Sequence, residues 1–509
     1  MSYSITSGER VLSLDDYERE GAKAASGFRA LGIGEGDAIA LMTRNDIPML
    51  VAMQGAGLIG AYSVPVNWHF TGEEAAYIIQ DCDAKALLIH ADLLPAMQGD
   101  IPDGLPVFIA ETPPEIQAAY AIPDSAAAVP AGLTDWSEWL AGQTPFEGEP
   151  ALARGSMIYT SGTTGRPKGV RREPASPVEY EEMLKLALRD FGVRPGANAA
   201  MTGPMYHSAP AAYARMALGL GTNLHLMPRF DAEELLRQIE ARRLSHMHLV
   251  PTMFVRLLAL PDEVRTRYDL SSLEYVIHGA APCPPEVKRR MIEWWGPVIN
   301  EYYGSTEAGL VTIATSEHAL AKPGTVGLPM PGTEVRILDG EGRPQPPGVE
   351  GEIYMSITML TDFTYHKRDD DRREIEREGL VTNGDVGFLD EDGYLFLCDR
   401  KRDMVISGGV NIYPAEIEAV LIQAPGVADC AVFGIPDDQF GESVAAAVTL
   451  TPGAAASEAA IRDYLGEHLA GYKLPRLIAF HDDLPREDSG KIFKRKLREP
   501  YWQDAGRRI

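Results

Sequence analysis

The stretch Tyr159-Thr-Ser-Gly-Thr-Thr-Gly-Arg-Pro-Lys-Gly169 gathers hydroxyls, glycines and cations into eleven residues. Thr160, Ser161, Thr163 and Thr164 carry hydroxyls, and Gly162, Gly165 and Gly169 let the backbone turn tightly beside a ligand. Arg166 and Lys168 add positive charge. The apolar run Ser156-Met-Ile-Tyr159 before it reads as a buried strand. A glycine-rich loop after a strand is a polyphosphate cradle, because its N–H groups converge on an anion. The string departs from the GxxxxGK[ST] pattern, since Lys168 follows Pro167 and precedes Gly169. A P-loop kinase or GTPase is therefore not expected.

The elements that must position this loop are those of a large α/β protein. With 509 residues, more than one domain is expected. A helix near Leu14–Leu31 and strands at Ala38–Met42 and Ala86–His90 set the rhythm of a largely parallel sheet. The apolar stretch 49–66 reads as a buried helix entering a strand, and the Pro- and Ala-rich segment Ala110–Pro150 as a surface excursion. The rhythm resumes with a helix at Ala232–Arg243 and strands at His246–Val250 and Tyr275–His278. His246 and His248 share one side of their strand and read as packed residues rather than metal ligands. From Gly332 to Phe396 the pattern turns all-β, with strands at Glu334–Leu338, Gly351–Met355 and Tyr394–Leu397. A final compact unit follows: helix Pro414–Gln423, strands Val427–Ile435 and Ser443–Leu450, helix Ser457–Leu469, and an extended basic tail. The charged run Asp399-Arg-Lys-Arg-Asp403 marks the boundary, giving domains 1–399 and 400–509.

The net charge of −26 argues against nucleic acid or an anionic membrane as a general partner. Four scattered cysteines without a CxxC pair fit reduced thiols in a cytoplasmic protein. The first residues have no apolar signal core, and no stretch reads as a membrane span.

Further segments, taken with the glycine-rich loop, resemble the adenylate-forming superfamily of acyl-CoA synthetases, adenylation domains and firefly-type luciferases. Asn300-Glu-Tyr-Tyr-Gly-Ser-Thr-Glu-Ala-Gly309 is similar to its YGxTE motif. The resemblance gives Tyr303 the adenine face, Thr306 the α-phosphate and Glu307 the Mg²⁺. His278-Gly-Ala-Ala-Pro282 is similar to the small-residue loop on the other adenine face, so Gly279, Ala280 and Ala281 join the ATP/AMP site with Thr160, Ser161, Gly162, Thr163, Thr164 and Lys168. Thr382-Asn-Gly-Asp385 implies a ribose contact through Asp385, assisted by Arg400. Pro485-Arg-Glu-Asp-Ser-Gly-Lys491 resembles the C-terminal motif whose lysine enters the site during adenylation, here Lys491. Gly408 and Gly409 match the glycines that line the CoA tunnel, and Arg402 sits at the hinge position. His207, in Pro204-Met-Tyr-His207, matches an aromatic-His motif beside the acyl and phosphate sites. The basic run Lys494, Arg495, Lys496 and Arg498 reads equally well as a solvated face or as a contact for CoA phosphate.

The resemblance implies a large N-terminal domain of stacked α/β sheets with a small β-barrel-like part, and a small mobile α+β C-terminal domain. It implies an acid–CoA ligase using ATP, Mg²⁺ and CoA, as a monomer or homodimer. Met205, Val250 and Met253 suggest an apolar acyl pocket. A medium- to long-chain fatty acid is favoured, with aryl-propenoic, steroid or bile-type acids as alternatives. An amino-acid adenylation domain normally bears an Asp after the His207 position to pair an α-amino group, and Ser208-Ala-Pro-Ala211 has none; a carrier-loading adenylation enzyme is a further alternative. A non-catalytic nucleotide sensor could dispense with Glu307 or Lys491, and both are present. Three departures stand out: Arg171-Arg-Glu-Pro174 after the phosphate loop, Ala211 where some long-chain members place a gating Trp, and Arg at hinge position 402.

Overall fold

A computed structural model describes residues 3–152, 154–160, 166–356, 361–401, 403–408, 410–437, 439–486 and 492–503. A five-stranded sheet runs in the order Tyr62–Pro65, Ala38–Met42, Ala84–His90, Val107–Ala110, Thr134–Asp135, every neighbour parallel. Ala38–Met42 is buried along its whole length, as a central parallel strand covered on both faces must be. The helix Ile47–Leu58 is apolar nearly all round because it packs between layers. It enters the strand Tyr62–Pro65 as expected. One core joins Ile39 and Leu88 of this sheet to Met49 and Leu50 of the helix and to Met201 and Ile277 of a second sheet.

The parallel part of that second sheet runs Ser4–Ser7, Asn223–Leu226, Asn198–Met201, His246–Leu249, Tyr275–His278, Ile299–Ser305. The first strand of the chain thus belongs to this sheet rather than to the one that follows it in sequence. Antiparallel pairing then takes over through Gly309–Ala314 and Thr325–Pro329 to Leu395–Arg400, Asp385–Leu389 and Gly351–Met355. This antiparallel run is the expected β-rich part, interrupted by a short helix at Asp369–Glu374. A separate small sheet holds Ile158–Thr160, Lys168–Arg172 and Phe363–Tyr365.

The C-terminal sheet pairs Val427–Asp437 with Gly441–Leu450, flanked by Leu477–Phe480 and by the hairpin Val405–Ser407/Val410–Ile412. Helices Pro414–Leu421 and Glu458–His468 cover one face. Among the described residues no helix is long and apolar enough to cross a membrane.

Two expectations need correction. Ala110–Pro150 is not only a surface excursion: Thr134–Asp135 adds a strand, and Trp136 and Leu140 are buried. Trp136 and Trp139 pack around Phe28 and Phe108, and these large rings outweigh the turn-rich composition nearby. The basic tail is not extended, since Lys494–Trp502 is a helix. Leu497 is buried on it and the Trp502 indole donates to the Gly434 carbonyl at 3.0 Å, so an apolar face docks it on the C-terminal sheet.

The helix Pro285–Trp295 is fastened to the strand Ile299–Ser305 by a buried ion pair between Lys288 and Glu301. Lys288 also donates to the Thr325 carbonyl at 3.3 Å. Removing one partner strands the other charge in the core, which costs about 3–5 kcal/mol. Lys288→Met and Glu301→Leu should each destabilise the protein by that order, and the double variant by less than either alone, in denaturant unfolding. Losses that simply add would show that the two charges do not depend on each other.

Candidate active site

The parallel strands of the second sheet all end at one edge, and their following loops carry the chemistry. The loop after Asn198–Met201 leads to His207, that after His246–Leu249 to Val250, and that after Tyr275–His278 to Gly279–Ala281. Thr306 and Glu307 follow Ile299–Ser305 directly. Ligands of open α/β sheets bind at this carboxyl edge. A cleft of about 4020 Å³ opens there and extends to the C-terminal unit.

On one side of the cleft, Tyr303 and Ala280–Ala281 form its wall. A side chain at Gly279 would begin 2.6 Å from the Tyr302 ring, so only glycine fits. Ala280 has φ +67°, a left-handed conformation that costs a non-glycine residue energy and is common at functional loops. The Tyr303 hydroxyl donates to Asp385 Oδ2 at 2.8 Å, and Asn383 Nδ2 donates to the same oxygen at 2.8 Å. Arg400 Nε lies 3.4 Å from Asp385 Oδ1. Burial, then the Asp385 charge, pushes the Tyr303 phenol well above its ordinary pKa, so it stays a donor. Tyr303, Asp385 and Arg400 are thus brought together.

On the other side, Thr160 and Lys168 pair across the mouth of the glycine-rich loop. Ser161, Gly162, Thr163 and Thr164 lie outside the described residues. The Thr160 hydroxyl donates to Glu307 Oε1 at 3.3 Å, and the Tyr365 hydroxyl donates to the same oxygen at 3.1 Å. Lys168 is buried, pairs with Asp371 at 2.8 Å and stands 5.3 Å from the centre of the Tyr365 ring. The Thr306 hydroxyl donates to Ser208 Oγ at 2.9 Å. Ser208 opens the helix Ser208–Gly219, whose N-cap is His207, and His207 packs against the Tyr206 ring at 4.5 Å. Hydroxyl groups of two sheets and one helix therefore meet at Thr306–Glu307.

Sequence reasoning missed the groups that hold this centre. Arg172 donates to the carbonyls of Thr306, at 2.9 Å, of Glu307 and of Thr361. Its burial lowers its pKa to about 10, which keeps it charged at neutral pH. The Arg171–Pro174 segment was legible only as a departure. Tyr365 had one signal, the alternation Phe363-Thr-Tyr365 that points both rings to one side.

Val250 borders the cleft, whereas Met205 and Met253 are buried in the cores behind it. The expected packing of His246 and His248 holds. His246 is bonded to Ser245 Oγ at 2.8 Å and His248 Nε2 to the Tyr302 hydroxyl at 3.0 Å. Burial lowers the His248 pKa to about 4.

From the C-terminal unit, Arg486, Ile492, Phe493 and Lys494 face the cleft. Gly408, at φ +58° against Phe440, is not among its walls. Lys491, Gly409 and Arg402 lie outside the described residues. Of the basic run, Lys494 is engaged with Glu418 at 2.8 Å and Arg498 stands 4.0 Å from Asp403, which leaves Arg495 and Lys496 exposed. Among the described residues no three His, Cys, Asp or Glu side chains converge as a metal cage.

The profile of the AMP-binding enzyme family matches residues 3–361, and that of the AMP-binding enzyme C-terminal domain matches residues 416–491. The chain is 31% identical to a fatty acid–[acyl-carrier-protein] ligase of Streptomyces coeruleorubidus, over 98% of this chain and 93% of that protein. It is 32% identical to a long-chain-fatty-acid–CoA ligase of Mycobacterium tuberculosis, over 94% of this chain and 91% of that protein. The solved structure of an amide bond synthetase from Marinactinospora thermotolerans superposes with a TM-score of 0.83 at 25% identity, covering 98% of this chain and 97% of that one.

Arg172 satisfies three backbone carbonyls that no other described group serves in its place. Arg172→Met should destabilise the protein by about 3 kcal/mol. Arg172→Lys should recover less than half, because a point ammonium cannot span them. Denaturant unfolding reads both, and an Arg172→Met protein as stable as the parent would remove Arg172 from this role.

Proposed function

The chain belongs to the AMP-binding enzyme family, and we propose that within it this protein is an AMP-forming acid–CoA ligase. The observation that carries the reading is the meeting of Thr160, Thr306 and Glu307 at one sheet edge, beside the Tyr303–Asp385–Arg400 group. In this reading Tyr303, Gly279, Ala280 and Ala281 enclose adenine, and Asp385 accepts from the ribose with Arg400 beside it. The glycine-rich loop and Lys168 take the β- and γ-phosphates, and Thr306 with His207 faces the α-phosphate and the acid.

A carboxylate oxygen of the acid attacks the α-phosphorus, the bond to the bridging oxygen breaks, and pyrophosphate leaves. Lys491 stabilises the charge that develops between the carboxylate and the α-phosphate. The thiolate of CoA then attacks the acyl carbon, and AMP leaves with the electron pair of the anhydride bond. Domains 1–399 and 400–509 would rotate about Arg402 between the steps, exchanging Lys491 for Gly408 and Gly409. The described pose, with Arg486 and Ile492 at the cleft and Gly408 away from it, suits the first step.

Glu307 fits Mg²⁺. Its carboxylate is a hard oxygen donor held between Thr160 and Tyr365 at the cleft wall, and the ion would take its remaining oxygens from phosphates and water. Mg²⁺ would neutralise charge on the departing phosphates.

The acid we favour is a medium- to long-chain fatty acid, in keeping with the mycobacterial relative's substrate and an apolar wall at Val250. Aryl-propenoic, steroid and bile-type acids are the alternatives. A second reading concerns the acceptor. The Streptomyces relative acts on a carrier protein, so phosphopantetheine on such a protein could stand in for CoA. Release of pyrophosphate and AMP from a panel of acids, with CoA, carrier protein or neither, separates these readings. Pyrophosphate without any acid dependence would end the ligase reading.

Lys491→Ala should lower acyl-AMP formation by about 10²–10³ while supplied acyl-AMP and CoA still yield thioester. Equal loss in both half-reactions would count against the assigned role. Glu307→Gln should slow adenylation and raise the Mg²⁺ concentration it requires. A Mg²⁺ titration that does not move would sink the metal assignment.

A further inference from the structure

The cleft does not end at the reacting centre. It follows the helix Ser208–Gly219, most of which borders it, with Ser208, Ala212, Arg215 and Gly219 in one row along its wall. These positions recur at three- and four-residue spacing, so they share one face of the helix. Ser208, bonded to Thr306, stands at the chemical end, and Arg215 stands two turns away, about 10.5 Å along the axis. The small side chains of Ser208, Ala211 and Ala212 leave the space between open. Met53, Leu184 and Met216 make its flanks apolar.

The far end is polar. Tyr17, Gln54 and Tyr180 border it, and Tyr17 donates to Gln54 Oε1 at 3.4 Å. Arg215 projects past Gly155, where an added Cβ would lie 4.0 Å from its Nη1. Among the described residues no carboxylate is ion-paired with it, and the phenols of Tyr17 and Tyr180 lie near it. Burial lowers its pKa, yet an arginine keeps its charge. Arg215 is half-buried on the cleft wall, and a partly desolvated cation with no ion-pair partner favours an anion that enters beside it.

We propose that Arg215 receives a second anionic group of the substrate, so that the acid activated here is an α,ω-dicarboxylic acid or an acid of similar span with a distal carboxylate. The inference rests on the acid-activating reading and replaces the plain fatty acid within it. A monocarboxylic chain of the same length would leave the guanidinium unpaired against a methyl group.

The test compares decanoic acid with α,ω-dicarboxylic acids of about eight to twelve carbons, a span set by the two helical turns, in acid-dependent pyrophosphate release by the full-length enzyme. The parent enzyme should prefer the best diacid over decanoic acid at least tenfold in kcat/KM. Arg215→Met should lower kcat/KM for that diacid by about a hundredfold and raise it for decanoic acid, inverting the preference. Turnover of decanoic acid equal to or above every diacid, or a ratio untouched by Arg215→Met, overturns the inference and leaves the ligase reading standing. If no acid releases pyrophosphate, the ligase reading fails, and diacid-induced thermal stabilisation decides the inference. A shift in the parent that Arg215→Met abolishes upholds it, and no shift overturns it.

Discussion

The parallel register of one sheet is the constraint on which the rest depends. Asn198–Met201, His246–Leu249, Tyr275–His278 and Ile299–Ser305 are hydrogen-bonded side by side and point the same way. Their carboxyl ends must therefore share an edge, and residues a hundred positions apart in the chain become neighbours without any loop having to reach. The buried Lys288–Glu301 pair fixes the last strand against its preceding helix, behind the loop that bears Gly279. Strain at Ala280 persists because both sides of that loop are held.

Electrostatics is arranged locally against a strongly acidic whole. Lys168 has Asp371, Arg400 has Asp385, and Arg172 has three backbone carbonyls. Lys168, Arg400 and Arg172 are thus each held by a partner within the protein, which limits the reorganisation needed when a ligand binds. Glu307 Oε1 accepts from two hydroxyl donors, Thr160 and Tyr365.

Segments buried on both faces were legible in the sequence. Ala38–Met42 and Tyr275–His278 have the bounds that their apolar runs predict, since a strand covered on both sides admits few polar residues. Thr134–Asp135 and the C-terminal helix were not legible. Each depends on a few aromatic or aliphatic contacts made at long range, Trp136 to Phe108 and Trp502 to Gly434. Residues of the candidate site carried by contiguous motifs, Tyr303 through Glu307, were readable as a unit. Arg172 and Tyr365 were not, because their significance lies in carbonyl and carboxylate partners supplied by other segments. Met205 and Met253 illustrate the opposite error: apolar type places a residue indoors but does not say whether it faces a cavity or a core.

The helix Ser208–Gly219 links the two ends of the argument. His207 caps it at the chemical centre, and its exposed face runs along the cleft to Arg215. A helix rises by a fixed amount per residue, so a group on its face two turns from the centre is a rigid length gauge. A loop could yield to a longer or shorter substrate, whereas this helix is buried on its other side through Tyr213, Ala214 and Ala217. Reaction centre and distal cation cannot drift apart. Discrimination would then follow from whether one substrate satisfies both ends at once, since a chain that meets only one of them leaves the half-buried guanidinium without a partner.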